Sequence, residues 1–443
     1  MGLHRFTPAG SGRMGIQQAL ATINGGVLVE YGCMGHMNYA GRDYKERAPG
    51  GCKIFSTHLN ETDIALGNVA RLWDAVDIIV EIEKPEVLFL TPSSVPEMIG
   101  ADLEAEAREL SAEYKDTKII SFDSGGFGAS LCRGIENALD TLAASLPEDC
   151  CKTSDLTFNI IGSNIDLYNY SADAEEITRV MRGCFGAKPL CVFSSGTGIS
   201  EIRLMSGAHV NLVIRREGIK AAERLKSRFG TPMVVGRPYG ISATHSWIRD
   251  IESAVGSQAN SEFLEKDSAD TIRFLESSKN SLANVPELLI GAHTDVAGGI
   301  ALFAEQELGL KVMAKWCDDP YCGTDETPYL PEQQRMELLK NDNYILLANS
   351  ELIAYSGKNG VVVSVSSASG HGLARYTAPL IGLRGAANLA RLISSPPPLP
   401  DAFETRGGKG YNHRHGGGRP DNRNETHPKH SGGRKGRGRG GHR

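Results

Sequence analysis

The sequence predicts an α/β protein of two to three Rossmann-like domains with parallel sheets, a cleft between domains and a disordered basic C-terminal tail. Three observations carry this. Short, nearly continuous apolar runs recur along the chain, each bounded by turn residues. Amphipathic stretches of helical length lie between them. The composition then changes abruptly after Ser394-Ser395-Pro396-Pro397-Pro398. Runs apolar on both faces belong to strands covered on both sides, the condition of a parallel sheet packed between helices.

In chain order, the first candidate strands are Gly26–Glu30, Val87–Thr91 and Lys118–Phe122, with helical stretches at Ile64–Ile82 and Asp102–Tyr114. Thr157–Ile161, Leu190–Ser194, Val210–Ile214 and Pro232–Gly236 follow, with a helical stretch at Ile219–Arg228. The last are Leu288–Ala292, Lys311–Lys315, Tyr344–Ala348 and Val361–Val365. Eleven strands are too many for one such sheet, so breaks are expected near residues 150 and 284. The expected division is 1–150, 151–283 and 284–395, each Rossmann-like, then a tail over 396–443. A single eight-stranded barrel fits the uneven spacing poorly. The sequence shows no internal repeat.

Over 443 residues, 40% hydrophobic and 23% charged content exclude disorder throughout, a fibrous repeat and a small disulfide scaffold. No apolar run approaches the ~20 residues of a membrane helix, and Met1-Gly2-Leu3-His4-Arg5 leads into no signal core. The protein reads as cytoplasmic. Its net charge of −6 hides a split: residues 401–443 hold 11 Lys+Arg against 4 Asp+Glu, leaving 36 against 49 in residues 1–400. The tail also has five His and almost no large apolar residue, so it cannot offset its own ordering entropy. It reads as a solvated appendage. With Tyr411 its one tyrosine, it offers bases almost nothing to stack on, and nucleic acid is not expected as a partner.

In doubly wound sheets, ligands gather beyond the carboxyl ends of the strands. Gly32-Cys33-Met34-Gly35-His36, Pro92-Ser93-Ser94, Asp123–Gly128 and Ser195–Gly198 hold those places. Gly10-Ser-Gly-Arg-Met-Gly15 matches a dinucleotide fingerprint, but the preceding segment is polar and broken by Pro8 where a strand is required. NAD is not expected. Nine cysteines include no C-x-x-C pair; Cys317 and Cys322 sit in an acidic turn that could hold a metal but, with no further ligands nearby in the sequence, reads rather as a solvated loop. The free-standing histidines His58, His209, His245, His293 and His371 each read as structural. Cys33 differs, lying at a strand's carboxyl end in a Gly-rich turn beside His36.

The order of several segments resembles the nitrogenase component 1 type oxidoreductases. Gly15–Leu20 with Glu30-Tyr-Gly-Cys33 looks like the family's small-residue helix and "H-G-x-x-G-C" turn. Ser56–Gly67 resembles "T-D-x-x-E-x-D-I-V-F-G", and Pro92–Asp102 resembles "S-x-C-x-x-x-x-I-G-D-D". Gly125-Gly-Phe127-Gly128 resembles "G-F-x-G", Gly198–Ile202 a short motif of the second domain, and Ala378–Leu389 the closing "P-x-x-G-y-x-G-a-x-x-L". The resemblance covers residues 10–395.

It implies an iron–sulfur cluster, [4Fe–4S] in type, shared at a subunit interface, with Cys33 as cofactor-binding and metal-ligating residue. The other two family thiolates fall on Ser11 and Ser94, and the molybdenum-cofactor cysteine falls on Arg215. FeMo-cofactor and dinitrogen reduction are therefore not expected. Cys52 and Cys132, each next to a family motif, are the nearest spare thiols for the cluster. The implied role is the catalytic component of a two-component reductase. An ATP-dependent iron–sulfur reductase, similar to the nitrogenase iron protein, would supply it with low-potential electrons. Its other partner would be a second copy or a paralogous subunit. The alternative is a non-catalytic scaffold that assembles or holds a metal cluster or metallo-tetrapyrrole.

Overall fold

Every strand pair described in the computed structural model is parallel, and three four-stranded sheets repeat one order. The structure describes residues 10–33, 44, 50–123, 128–364 and 378–398, all within one compact unit, Met1–Gly407. His36, the Gly125–Phe127 motif, His371 and the tail from residue 399 lie outside the described residues.

The first third runs α1 (Gly12–Ala21), β1 (Gly26–Tyr31), β2 (Lys53–Ser56), α2 (Glu61–Leu66), α3 (Ala70–Glu83), β3 (Val87–Pro92), α4 (Ser94–Met98), α5 (Leu103–Glu113), β4 (Lys118–Ser121) and α6 (Leu131–Ser145). Its sheet order is β2-β1-β3-β4. Strand β2 carries no clear signal in the sequence because Lys-Ile-Phe-Ser is only half apolar. As an edge strand it needs no second neighbour and is nowhere fully buried. The expected helix Ile64–Ile82 is two helices, broken where Gly67 turns left-handed at φ 62°. Asn60 caps α2 reciprocally: its side chain accepts the Asp63 amide at 2.9 Å while Asp63 accepts the Asn60 amide at 3.1 Å. Asn60→Ala should cost about 1 kcal/mol, visible as faster amide exchange in α2 with the rest of the protein unchanged.

The second third holds β5 (Thr157–Ser163), α7 (Tyr170–Phe185), β6 (Lys188–Ser194), α8 (Ile199–Arg203), β7 (Val210–Val213), α9 (Ile219–Phe229), β8 (Met233–Val235), α10 (Gly240–Val255) and α11 (Ser261–Leu282). The last holds β9 (Glu287–Ala292), α12 (Thr294–Gln306), β10 (Val312–Cys317), α13 (Glu332–Leu338), β11 (Tyr344–Asn349), α14 (Ser350–Ser356), β12 (Gly360–Ser364) and α15 (Gly382–Ser394). Their sheets are ordered β6-β5-β7-β8 and β10-β9-β11-β12. In each sheet the chain reverses direction across the sheet beside its first strand. That puts topological switch points at β1/β3, β5/β7 and β9/β11, where such folds bind ligands.

Two packing devices hold the frame. Helices α1 and α6 touch backbone to backbone: a Cβ at Gly134 would lie 1.9 Å from the Gly12 carbonyl oxygen, and one at Gly15 would lie 2.1 Å from that of Leu131. Here Gly15 of the G-x-G-x-x-G pattern serves helix contact. The closing helix α15 is tied back to the second third by Asp173, which accepts the Leu380 amide at 2.7 Å and pairs with Arg237. Glu176 accepts the Arg384 amide at 3.2 Å.

Candidate functional site

Two groups of chemistry-bearing residues lie at carboxyl ends of strands. The first is Cys33, two residues past β1 at the β1/β3 switch point, half-buried and packed against the apolar layer under α3 and α5. Its approach is fixed by the backbone. The Gly32 amide donates to the Thr57 hydroxyl (3.0 Å), and the Gly32 carbonyl accepts the Leu59 amide (3.0 Å). A Cβ at Gly32 would fall 2.2 Å from Ser93 Oγ, so only glycine lets β1 run against the start of α4. Beneath the turn, Glu30 and Arg13 form a buried pair, and Ser93 Oγ is buried with no hydrogen-bond partner among the described residues.

The other residues expected at this place are distributed as follows. Ser11 is the exposed N-cap of α1, its Oγ accepting the Met14 amide at 3.5 Å, and Ser94 is the first residue of α4. Cys52 precedes β2 and faces Gly26 at the start of β1, so it occupies the amino end of the sheet while Cys33 occupies the carboxyl end. Burial pushes the Cys52 thiol up. Cys132 lies in the first turn of α6 and belongs to the second group.

That second group is buried where the ends of β5, β7, β9 and β10 meet the start of α6. Cys132, Glu217, His293 and Cys322 each present one donor atom, and the four atoms lie within 4.8 Å of one another. Cys322 Sγ is 3.1 Å from Cys132 Sγ and 3.4 Å from Cys317 Sγ. Cys317 and Cys322 are 0% and 1% exposed, so both thiols of the acidic turn face inward, while Pro320 and Tyr321 at its tip stay in solvent. Asp319 explains the inversion. Its carboxylate caps the Cys132 amide (3.1 Å) and the Tyr321 amide (2.8 Å), and its carbonyl accepts the Cys317 thiol (3.2 Å).

Arg215 crosses the centre. Its Nη1 reaches Asp166 and its Nε reaches Glu217, both at 2.7 Å, and Nη2 lies 3.8 Å from Cys132 Sγ. Glu217 Oε1 is 2.9 Å from His293 Nε2. Burial would push the Glu217 carboxyl up, but His293 and Arg215 hold it below its ordinary range. Burial works against charge on His293, and the Glu217 carboxylate outweighs it, raising the imidazole. Its Nδ1 accepts the Asp295 amide at 3.2 Å, and the Asp295 carboxylate lies 3.7 Å away. Burial pushes Cys191 up to about 12 and Cys184 up to about 11, as expected of packing thiols.

Sequence reasoning missed Glu217, His293, Cys317 and Cys322 as a set, because they are far apart in the chain. The available signal was positional: His293 directly follows β9, Arg215 follows β7, and Cys317 ends β10.

Three doubly wound sheets in one chain make an α/β fold of the kind seen in nitrogenase component 1. The chain belongs to the nitrogenase component 1 type oxidoreductase family, whose sequence model matches residues 13–396. It is 29% identical over 205 residues to the nitrogenase iron-molybdenum cofactor biosynthesis protein NifE of Bradyrhizobium diazoefficiens, covering 44% of this chain and 36% of that protein. Against one of the light-independent protochlorophyllide reductase subunits of Heliobacterium modesticaldum it is 24% identical over 352 residues, covering 77% and 65%. These matches span about one third to two thirds of those relatives' length. A solved structure described as nitrogenase Cp1 at pH 6.5 shares the fold with a TM-score of 0.71 at 16% identity, covering 89% of this chain and 93% of that one. Among the described residues no helix is long and apolar enough to cross a membrane.

Proposed function

We propose that this chain is the catalytic component of a nitrogenase-like two-component reductase whose substrate is not dinitrogen. The observation that carries the reading is Cys33, held at the β1/β3 switch point by a close-packed turn in which a Cβ at Gly32 would meet Ser93 Oγ at 2.2 Å. In this family such a place implies an iron–sulfur cluster. The donor chemistry supports that only in part. A [4Fe–4S] cluster takes four ligands, and among the described residues no second thiol joins Cys33 in a ligand group. Two subunits would bring two thiolates, with Ser93 Oγ and Ser94 as nearby oxygens. The cluster, when bound, supplies one-electron chemistry at low potential. The chain's part is to hold Cys33 in a fixed turn and to keep the Arg13–Glu30 pair buried beneath it.

Arg215 supports the exclusion of dinitrogen. It stands where the resemblance puts the molybdenum-cofactor thiolate, and its guanidinium is engaged by Asp166 and Glu217. A scaffold role is the second reading, favoured by serines at two places where the family pattern has thiolates.

Cys33→Ala in anaerobically purified protein should lose most of its acid-labile sulfide and brown absorbance, with an unchanged circular dichroism spectrum. Retention of full sulfide would sink the assignment. A protein that holds the cluster yet takes up no electrons from ATP and a cognate iron–sulfur reductase would be a scaffold.

A further inference from the structure

The centre around Cys132, Cys322, His293 and Glu217 has a composition and a geometry that the reductase reading leaves unused. Two thiols, one imidazole and one carboxylate converge from three different parts of the chain onto one point. The Cys132–Cys322 separation of 3.1 Å is too long for a disulfide, whose sulfurs lie about 2.0 Å apart. It is also closer than two unbonded sulfurs rest comfortably. Tetrahedral bonds of about 2.3 Å to a common ion would put them about 3.8 Å apart, which a small outward movement of either side chain supplies. The Glu217–His293 approach of 2.9 Å opens in the same way.

We propose that this chain binds a single divalent metal ion of the zinc class at Cys132, Cys322, His293 and Glu217, separate from any cluster at Cys33. Softness favours such an ion: thiolate and imidazole together select zinc over magnesium or calcium. Size excludes a polynuclear cluster. Four donor atoms within 4.8 Å of one another, on residues that are all buried, enclose room for one ion and not for several irons and sulfides.

The surroundings are those of a structural metal site. The Asp295 carboxylate lies 3.7 Å from His293 Nδ1, close enough to orient the ring by accepting from Nδ1–H once Nε2 binds metal, as carboxylates do for metal-bound histidines. Asp319 fixes the Cys132 amide and the Cys317 thiol, and Arg216 holds the Cys322 carbonyl at 3.2 Å. Cys317, bonded to the Asp319 carbonyl, neighbours the ligand set without joining it. Because Cys132 opens α6, Glu217 follows β7, and His293 and Cys322 follow β9 and β10, the ion would clamp three sheets' worth of chain at one point.

The test uses full-length protein carrying Cys33→Ala, so that cluster iron does not contribute. Purified anaerobically, freed of metal with a chelator and kept reduced, it should bind one Co2+ per chain. The absorption should be that of tetrahedral cobalt with sulfur-to-metal charge transfer, and Zn2+ should displace it. Cys322→Ser and His293→Gln should abolish the cobalt spectrum, and Cys317→Ser should leave it intact. A reduced, folded protein with no tetrahedral cobalt spectrum would overturn the proposal. Loss of the spectrum in Cys317→Ser with retention in Glu217→Gln would overturn this ligand set. Should the ligand variants fail to fold, elemental analysis of the unsubstituted protein still decides: one zinc per chain is expected. Zinc near zero, together with a Cys132–Cys322 disulfide by mass spectrometry, refutes it. Acid-labile sulfide, measured in parallel, reports on Cys33 alone.

Discussion

Arg215→Met should lower the stability of the protein by about 3–5 kcal/mol, read as a large fall in the urea unfolding midpoint. The side chain is 1% exposed and neutralises two carboxylates, Asp166 and Glu217, that are themselves buried. A methionine fills most of the volume but leaves Asp166 without its cation and Glu217 with His293 alone, and a buried charge stripped of its partner costs that much. Arg215→Lys should recover only part of the loss. A single ammonium cannot present the planar fork that reaches Asp166 and Glu217 at once. An Arg215→Met protein that unfolds within about 1 kcal/mol of the parent would show that the carboxylates are protonated or solvated, contrary to the geometry.

Gly134→Ala should cost about 3 kcal/mol, at the upper end of the range for overpacking, although it adds one methyl group to a helix and improves helix propensity. The new Cβ would lie 1.9 Å from the Gly12 carbonyl oxygen, an atom of the α1 backbone that cannot rotate away. The helices must separate by more than an ångström. Because α6 carries Cys132 in its first turn, that movement should also weaken metal binding at the buried centre, while Asn60→Ala should leave it untouched. Thermal denaturation and the cobalt titration, run on the same variants, check both halves. Unchanged stability in Gly134→Ala would mean that α1 and α6 are not in backbone contact.

Much of the architecture is legible in the chain. Parallel sheets covered on both faces draw on strands that are mostly apolar, and β1, β3 and β5 are buried at every position. The runs that mark them can be read directly. The edge strand β2 escapes because one-sided cover demands little of its sequence. The Ile64–Ile82 helix is overextended because Gly67 is a small interruption in an otherwise helical pattern. Cys33 is legible for a local reason: the strand, the glycine and the thiol are consecutive.

The buried centre is not legible, and the reason is physical. Cys132 and Cys322 are 190 residues apart, and Glu217 and His293 are 76 apart. Nothing in the composition around Cys317 and Cys322, a turn rich in aspartate, announces burial. An acidic turn normally stays in water; here its two thiols and Asp319 go inside, the Asp319 carboxylate being taken up by the amides of Cys132 and Tyr321. Short-range patterns of burial thus suffice for the class of fold, the repeated strand–helix alternation and the single thiol at the first switch point. That the ends of β7, β9 and β10 meet the start of α6 follows from the folded chain alone. Which charges and thiols share one small volume depends on how the sheets dock, and no local pattern encodes that.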